Sequence, residues 1–411
     1  MKITTSLFFV LIFLIITSLS SLTSAQLIGG LLEFLLRILF GNRLPQPQIK
    51  EVVEIVTQIK SRYKIELSVQ EITAKIEELE KFKRDIEGSK EVGFTLNHFL
   101  PIEEQMLLLG GGISDSDIPD TDVNGEGVPG GESPPDPPEK SNKKDEHPRA
   151  KRATCVQKNV FSCSEKWSGC APIINRVHHQ GRCASCWAIV PSTVYTDRVC
   201  IARAKLKQST PNNGSYVFSA LDILSCSDAG DCASGSAYKV WLWLKSKGVC
   251  TGGDNVNKGG CKPYPFTPSG NAATPKCDSS CTAPWNTYYF NDKRHISRYD
   301  AFGGNGITTQ NIIKELEANG PVVVILKAYS DLYAHKGGVY YKSQDAVFRT
   351  NHVVSIVGHG IEVCDNKETP YWIIKNSWGT EFAENGFFKI RRGVNECDIE
   401  NTHLSYVTPR V

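Results

Sequence analysis

Apolar side chains recur at helical spacing in the first quarter of the chain. Ser68 and Glu71 have the form of a capping box, and the pattern that follows predicts a helix of about five turns. The apolar face of this helix comprises Val69, Ile72, Ile76, Leu79 and Ile86. A preceding helix is predicted in the same way, with Val52, Ile55, Ile59 and Tyr63 on one face. The front of the chain is therefore expected to be helical.

Two apolar stretches precede these helices, and they differ in kind. Residues 7–16 follow Met1-Lys2 and lead to Thr23-Ser24-Ala25, a pattern typical of a secretory signal peptide over residues 1–25. This run is too short to span a bilayer. The second stretch, residues 27–40, includes Glu33 and Arg37, so we interpret it as a pro-segment helix that is buried or lies at an interface. No membrane contact is expected beyond the signal peptide.

The apolar pattern ends near residue 110. Residues 111–152 are rich in Gly, Asp, Pro, Ser and Lys, a composition that buries too little apolar surface to offset the entropy lost on ordering. We interpret this stretch as a disordered linker. Its last residues, Arg149-Ala150-Lys151-Arg152, suit a processing protease that cuts after Arg152, with a solvated charge cluster as the alternative. Residues 26–110 would then be a pro-segment and residues 153–411 a separate domain.

The pattern in residues 153–411 changes from helical to strand-like, which predicts an α+β domain. Helices are expected to begin at Cys186 and to cover residues 219–225, 236–245 and 310–318, the last stopped by Gly320-Pro321. Strands are expected over residues 322–326, 339–341, 352–357, 371–374 and 387–390. A helical and a β-rich subdomain would then face each other across a cleft.

The cysteine count and the charge distribution limit the compartments in which the protein could fold and the partners that it could bind. Fourteen cysteines behind an export signal indicate an oxidising compartment with disulfides. The first 152 residues carry a net charge of −5 and the remainder +7, so an acidic front half could dock on a basic catalytic half. No run of Lys and Arg with interleaved aromatic residues is present, which argues against nucleic acid as a partner.

Cys186 is the strongest candidate for chemistry. It ends the run Gln180-Gly181-Arg182-Cys183-Ala184-Ser185-Cys186, before Trp187, and downstream lie Asn351-His352-Val353-Val354 and Lys375-Asn376-Ser377-Trp378-Gly379. A thiol is a useful nucleophile as a thiolate, which a helix N-terminus and a nearby imidazolium favour. A secreted cysteine is more often half of a disulfide, and a lone histidine beside a strand is more often structural. The three motifs together favour catalysis, and His359, the rival base, lacks such a motif.

These motifs closely resemble those of the papain-like cysteine proteases, over roughly residues 161–410. The flanking Asp197-Arg198-Val199-Cys200-Ile201, Gly260-Cys261-Lys262-Pro263-Tyr264 and Gly386-Phe387-Phe388-Lys389-Ile390 resemble the cathepsin B branch. The resemblance implies a two-subdomain α+β fold, one part helical and the other β-barrel-like, with the active site in the cleft. It also implies that the segment ending at Phe94-Thr95-Leu96-Asn97-His98-Phe99 inhibits its own enzyme.

The same resemblance assigns roles to individual residues. Cys186 would be the nucleophile, His352 the base, and Asn376 the residue that orients the base. Gln180 and the backbone N–H of Cys186 would bind the oxyanion of the tetrahedral intermediate. Trp378 would shield the bond between His352 and Asn376 from water. Neither a metal nor another cofactor is implied.

Further positions are carried over from the cathepsin B branch. The pocket for the second residue before the scissile bond would be walled by Ser236, Ala237, Val353 and Thr402, with Gly235 offering backbone hydrogen bonds; Trp378 completes the expected substrate-binding set.

The implied disulfides are Cys170–Cys200, Cys183–Cys232, Cys226–Cys277 and Cys261–Cys281. No partner is assured for Cys155, Cys163, Cys250, Cys364 or Cys397. Asn213 lies in a glycosylation sequon, Asn213-Gly214-Ser215.

The stretch between Cys261 and Cys277 bears on which bonds are cut. In cathepsin B an inserted loop with a histidine pair binds the substrate's terminal carboxylate, and here the corresponding stretch is shorter and has no histidine. His178-His179 is interpreted as a solvated turn, which leaves Lys262 or Lys276 to bind a carboxylate. An endopeptidase is therefore expected.

The sequence also departs from the family pattern. Pro191 falls inside the expected helix, and Ala184 stands where glycine is usual. These departures leave open a catalytically silent, papain-like binding or matrix module, and a pro-segment released as a protease inhibitor is a third possibility. The favoured hypothesis is a cysteine endopeptidase zymogen of the secretory pathway, lysosomal or extracellular, acting on protein or peptide substrates.

Overall fold

The computed structural model describes residues 25–110, 155–209, 217–254, 258–268, 273–282 and 284–411. The expected signal peptide up to residue 24, the linker, the processing site at Arg152 and the sequon at Asn213 lie outside these residues. Among the helices that are described, none has the length and apolarity that a membrane crossing requires. The chain divides into two compact units, Met1–Glu77 and Glu78–Val411.

The first unit contains helix α1 (Ala25–Phe40), helix α2 (Gln46–Tyr63) and the start of helix α3 (Val69–Phe82). Helix α1 packs against α2, and Leu35, Leu36, Val52 and Ile59 are buried. The side-chain amide of Gln46 donates to Glu33 at 2.6 Å. The apolar stretch at residues 27–40 is thus a helix with one buried face.

Helix α3 begins where the capping box predicts. The backbone N–H of Ser68 donates to Glu71 at 2.7 Å, and the N–H of Glu71 donates to Ser68 Oγ at 3.2 Å. The predicted length is wrong, because the helix ends at Phe82 and has 14 residues. A short 3₁₀ turn follows, and the backbone at Ile86 is extended. Phe82 is buried, whereas Ile86 is 38% exposed.

The second unit holds most of the regular structure. Its helices are α4 (Leu96–Phe99), α5 (Ile102–Leu107), α6 (Cys163–Lys166), α7 (Ala171–Ile174), α8 (Cys186–Lys205), α9 (Ala220–Cys226), α10 (Ala237–Ser246), α11 (Tyr289–Asp292) and α12 (Thr309–Asn319). Helices α8, α9, α10 and α12 confirm the four predicted in this part of the chain. Ser219 caps α9 by accepting from the N–H of Asp222 at 2.9 Å, and Gly320 ends α12 at a φ of 104°.

The strands are β1 (Glu91–Val92), β2 (Cys155–Ser162), β3 (Ile296–Phe302), β4 (Val322–Tyr329), β5 (His335–Gly337), β6 (Val339–Tyr340), β7 (Phe348–Cys364), β8 (Lys367–Lys375), β9 (Phe387–Arg391) and β10 (Leu404–Pro409). Eight of them form one sheet in the order β3-β10-β4-β7-β8-β9-β6, with β2 also paired to β7. The pairs are antiparallel except for β6 with β9. All five predicted strands are present.

The α+β class is confirmed, but the sheet is not a closed barrel. Its end strands, β3 and β6, each pair with one neighbour and not with each other, whereas closure would require that pairing. Strand β5, which precedes β6 in the chain, does not join this sheet. It pairs with the pro-segment strand β1 in a separate two-stranded sheet. The expected barrel-like half is therefore an open sheet.

Helix α8 joins the helical and sheet parts of the second unit. All sixteen residues from Cys186 to Ile201 are buried, so the helix is surrounded by protein rather than presenting one face to solvent. Trp187 and Tyr195 on α8 share a buried apolar cluster with Trp241 on α10 and Val353 on β7. This packing brings the start of a helix against the middle of a sheet.

Candidate active site

The thiol of Cys186 lies at the first residue of α8, after Ser185. Its side chain is completely buried, and burial raises the pKa of the thiol to about 12, while the backbone N–H groups of Val353, Trp187 and Cys186 oppose that rise. Because Val353 directly follows His352 in β7, the thiol lies beside the strand that carries the expected base. The helix N-terminus also favours the anionic form of a group placed there.

His352 is oriented by Asn376, as the sequence predicts. Nε2 of His352 lies 2.8 Å from Oδ1 of Asn376, which follows the end of β8. Burial lowers the pKa of His352 to about 4, and the bond to Asn376 acts in the opposite direction. Within the described part of the chain Nδ1 of the ring has no hydrogen-bond partner. The bond to Asn376 therefore leaves Nδ1 as the nitrogen that can exchange a proton with a reacting group.

Trp378 covers this pair. Its indole stacks on the imidazole of His352 with ring centroids 5.0 Å apart and an interplanar angle of 27°. Phe382 packs on the same indole edge to face, at 4.8 Å, and Tyr333 stacks on it at 5.2 Å. The indole therefore lies against the imidazole, as shielding of the bond between His352 and Asn376 would require, and that role stays a prediction.

Gln180 is held by Ser377, which follows Asn376 and has no predicted role of its own. The hydroxyl of Ser377 donates to Oε1 of Gln180 at 2.7 Å, and the backbone N–H of Gln180 donates to the carbonyl of Ser377 at 2.9 Å. Nε2 of Gln180 is thereby turned away from Ser377 and donates to the carbonyls of Leu107 at 2.9 Å and Cys183 at 3.1 Å. A fixed donor of this kind can bind a developing oxyanion.

The expected inhibitory segment lies over these groups. Nε2 of Gln180 bonds to the carbonyl of Leu107, the indole N–H of Trp378 donates to the carbonyl of Leu108, and the N–H of Gly235 donates to Gly110 at 3.2 Å. At Gly110, whose φ is 145°, an added Cβ would lie 2.2 Å from the carbonyl oxygen of Ala184. The backbone of this segment occupies the donors that a substrate would need.

The expected substrate pocket is only partly assembled in the described contacts. Gly235 and Ser236 precede α10, where Ser236 caps the helix by accepting from Lys239 at 3.4 Å. Ala237 and Val353 belong to one buried apolar cluster. Thr402 is half-buried and closes a turn, its hydroxyl donating to the carbonyl of Asp398 at 2.9 Å. Its place in the pocket stays a prediction.

The disulfides agree with the expected pairing and add one. The structure contains Cys170–Cys200, Cys183–Cys232, Cys226–Cys277 and Cys261–Cys281, and it pairs Cys155 with Cys364. In the described residues the free thiols are Cys163, Cys186, Cys250 and Cys397, all buried. The Cys183–Cys232 bond fixes the backbone between Gln180 and Cys186.

Neither departure from the family pattern disturbs the site. Helix α8 continues through Pro191 to Lys205, and Ala184 is buried beneath Gly110. The rival base His359 bonds to Glu317 at 2.8 Å and stacks on Phe161, which gives it a structural role.

The interpretation of His178-His179 as a solvated turn is wrong. His178 is only 5% exposed, its carbonyl accepts from the N–H of Gly379 at 3.0 Å, and His179 forms a β-bridge with Trp378. These residues anchor the Trp378 loop.

Comparison with known proteins identifies the family of the chain. A family model described as "Papain family cysteine protease" matches residues 160–407. A "Gut-specific cysteine proteinase" of Caenorhabditis elegans is 38% identical over 251 residues, covering 59% of this chain and 71% of the relative. "Cathepsin B-like cysteine proteinase 5" of the same organism is 34% identical over 268 residues, covering 60% and 73%.

A solved structure extends the similarity to the zymogen form. It is "proCathepsin B S9 from Trypanosoma congolense", which matches with a TM-score of 0.60 and 26% identity over 84% of this chain and 99% of that one. Taken with the geometry of Cys186, His352 and Asn376, these similarities show that the chain belongs to the papain family of cysteine proteases, in its cathepsin B-like branch.

Proposed function

We propose that this chain is the zymogen of a cysteine endopeptidase of the secretory pathway, in which Cys186 attacks the scissile carbonyl. The observation that carries the proposal is the 2.8 Å hydrogen bond between His352 and Asn376, which fixes a buried imidazole. The next residue in the strand, Val353, donates its backbone N–H to the Cys186 thiol. Family membership supplies the hydrolase class, whereas the assignment of steps to residues is our inference.

The proposed chemistry proceeds through an acyl-enzyme. His352 accepts the thiol proton, and the sulfur of Cys186 forms a bond to the carbonyl carbon, whose oxygen becomes an oxyanion bound by Gln180 and the backbone N–H of Cys186. Collapse of this intermediate breaks the C–N bond as His352 protonates the leaving amine. Water then attacks the thioester with His352 as base, which releases the acid and restores the thiol.

Latency has an electrostatic part as well as a steric one. Under the pro-segment the pKa of Cys186 is raised to about 12 and that of His352 is lowered to about 4, in both cases because burial disfavours the charged form. Both groups are therefore neutral in the covered site. Removing residues 107–110 would admit water, lower the thiol pKa and raise the imidazole pKa, so that the thiolate–imidazolium pair can form.

Cleavage within chains, rather than from the carboxyl end, is favoured by the stretch after Cys261. Lys262 is one of the two lysines that remain as candidates to hold a terminal carboxylate, but it is 4% exposed and bonds to Asp222 at 3.1 Å. Tyr264 donates to the carbonyl of Gln180 at 2.9 Å, and Phe266 packs against Gly181. In the described part of this stretch these contacts hold the segment that carries Gln180, and the ammonium group of Lys262 is taken up by Asp222 rather than free for a substrate carboxylate.

In the pocket for the second residue before the scissile bond, the absence of an acidic side chain at Thr402 favours aliphatic or aromatic side chains over arginine, because a buried cation would lack a partner. Selection of arginine there by a peptide library would refute this assignment.

The test of the proposed function uses protein cleaved after Arg152. Wild type should hydrolyse peptides internally, with similar kcat/KM for free and amidated C-termini, and Cys186→Ser should be inactive while keeping the same thermal unfolding profile. A wild-type protein that is folded but cleaves no peptide would favour the silent binding module. Stepwise release of dipeptides from free C-termini only would refute the endopeptidase assignment.

A further inference from the structure

Arg182, close in sequence to the proposed oxyanion donor Gln180, binds the carboxylate of Glu104. Its Nε donates to one oxygen of Glu104 at 2.9 Å, and a terminal nitrogen donates to the other oxygen. The Arg182 side chain is 32% exposed, and the Glu104 side chain is 10% exposed. The contact is bidentate, which is the geometry by which arginine recognises a carboxylate. Because Glu104 belongs to the pro-segment, its departure leaves the guanidinium without this partner.

The course of the pro-segment shows on which side of the cleft Arg182 lies. From Glu104 the chain proceeds to Leu107 at Gln180, then to Leu108 at Trp378, and then to Gly110, whose carbonyl accepts from the N–H of Gly235. Gly235 is expected to bind the part of the substrate that precedes the scissile bond. Arg182 is therefore on the opposite side of the oxyanion site, where the residues after the scissile bond would bind.

The position of Arg182 is fixed by its neighbours. Gln180 is bonded through its backbone to Ser377 at 2.9 Å, and Cys183 is held by the disulfide to Cys232. The guanidinium thus extends from a rigid segment two residues from the oxyanion donor, and its reach is set by side-chain rotamers alone. Rigid placement reduces the entropy that a bound carboxylate would cost.

We infer that Arg182 is a specificity-determining residue that binds a carboxylate of the substrate on the leaving-group side of the scissile bond. The inference rests on the proposed peptidase function and adds a substrate class to it. The carboxylate is supplied either by an acidic side chain or by the chain's terminal group. In the zymogen Glu104 fills the same position, so the pro-segment imitates the substrate's charge at this subsite.

The experiment compares peptide pairs on the processed enzyme. Each pair shares the sequence before the scissile bond and differs by Glu or Gln at one of the three positions after it, all with amidated C-termini. A separate pair has Gln at these positions and either a free or an amidated C-terminus. The variants are Arg182→Gln and Arg182→Glu, and the control is Arg298→Gln, which removes an arginine that also pairs with a carboxylate, Asp300, on β3. The measured quantity is the ratio of kcat/KM within each pair, so loss of total activity in a variant does not obscure the result.

The inference predicts that wild type and Arg298→Gln prefer Glu at one position by about tenfold, an effect of charge-assisted hydrogen bonds, and that Arg182→Gln loses this preference. Arg182→Glu should reverse the preference, so that the peptide with Gln at that position is cleaved faster than the one with Glu. If the free C-terminus shows the Arg182-dependent preference instead, the terminal carboxylate is the source, and the endopeptidase assignment fails while the role of Arg182 stands. Equal ratios in wild type, or a preference retained in Arg182→Gln, overturn the inference while the peptidase function stands. Absence of hydrolysis in wild type overturns the proposed function and this inference with it.

Discussion

The ammonium group of Lys90 lies 3.1 Å from a carboxylate oxygen of Asp331, and neither side chain is exposed to solvent. Lys90 also donates to the carbonyl of Tyr341 at 2.7 Å and to the hydroxyl of Ser343 at 2.6 Å. The other oxygen of Asp331 accepts from the hydroxyl of Tyr340 at 2.7 Å. A pro-segment residue thus fills a buried, fully hydrogen-bonded site in the second unit.

Replacing Lys90 by alanine should weaken the zymogen strongly, because it leaves the Asp331 carboxylate buried without its cation. The expected loss is about 3–5 kcal/mol, visible as a lower melting temperature and as peptidase activity before linker cleavage. Lys81→Ala serves as the control, since Lys81 is an exposed residue of α3. Equal melting temperatures and equal latency for Lys90→Ala and Lys81→Ala would show that the buried pair does not hold the pro-segment.

Acid should loosen the same region through His335. This histidine faces the pro-segment strand, pairing with Val92, and burial, with Lys90 and Lys389 nearby, lowers the pKa of His335 to about 3. The folded pKa lies below the ordinary value of about 6.5, so the neutral ring stabilises the zymogen above pH 6.5. That contribution is lost as the pH falls from 6.5 towards 3, by about 3 kcal/mol at pH 4.

His335→Phe should therefore reduce the drop in melting temperature between pH 7 and pH 4.5 and keep the zymogen latent to lower pH. Phenylalanine retains the edge-to-face contacts that the ring makes with Tyr340 and Phe388. His295→Phe provides the comparison, because His295 is half-buried and lies apart from the pro-segment strand. An acid-induced drop that is the same in wild type and His335→Phe would assign the pH response to other groups.

Asn376→Ala should reduce kcat on the order of 10²-fold and leave measurable hydrolysis, because the residue orients His352 without reacting itself. Asn376→Gln should restore part of the loss if a side-chain oxygen can reach Nε2. Steady-state kinetics on the processed enzyme measures both. An Asn376→Ala enzyme with wild-type kcat would remove the His352–Asn376 bond from the mechanism.

Replacing Gln180 and replacing Ser377 should both lower kcat, the first more than the second. Gln180→Ala removes an oxyanion donor and should lower kcat by about 10²-fold or more. Ser377→Ala removes the bond that turns the amide, which is worth about 1 kcal/mol, so the decrease should be several-fold. In the double variant the Ser377 effect should vanish, since no amide remains to be oriented. A change in KM alone for Gln180→Ala would instead make it a substrate-binding residue.

The sequence predicts the parts of this protein that are encoded locally. The capping box at Ser68, the start of α8 at Cys186 and the residues of the His352 and Asn376 motifs each depend on neighbours a few positions away. Four disulfides were predicted in a different way, from the resemblance to the cathepsin B branch, since their cysteines lie 20 to 51 positions apart. Strands β1, β2, β3, β5 and β10 were not predicted. β1 has two residues and β5 has three, and β2 is exposed along most of its length, so these three lack a strong apolar pattern.

Contacts between distant segments could not be predicted. The bond between Cys155 and Cys364 joins residues 209 positions apart, and Lys90 reaches Asp331 across 241 positions. No local pattern distinguishes Lys90 from the exposed lysines of the pro-segment, because the burial of its ammonium group is decided by the surface on which the chain docks. Arg182 was visible in the nucleophile motif, but its ligand, Glu104, became evident only from the structure.

Iodoacetamide should distinguish a covered nucleophile from an exposed one, through the rate at which it alkylates Cys186, mapped by peptide mass spectrometry before and after cleavage at Arg152. The buried thiols of Cys163, Cys250 and Cys397 are internal controls in the same sample. A latent site that uses Cys186 as its nucleophile predicts slow labelling of all four thiols before cleavage and rapid labelling of Cys186 alone afterwards, with His352→Ala slowing that labelling. Labelling of Cys186 that is equally fast before cleavage, or as slow as that of Cys163 afterwards, would contradict it.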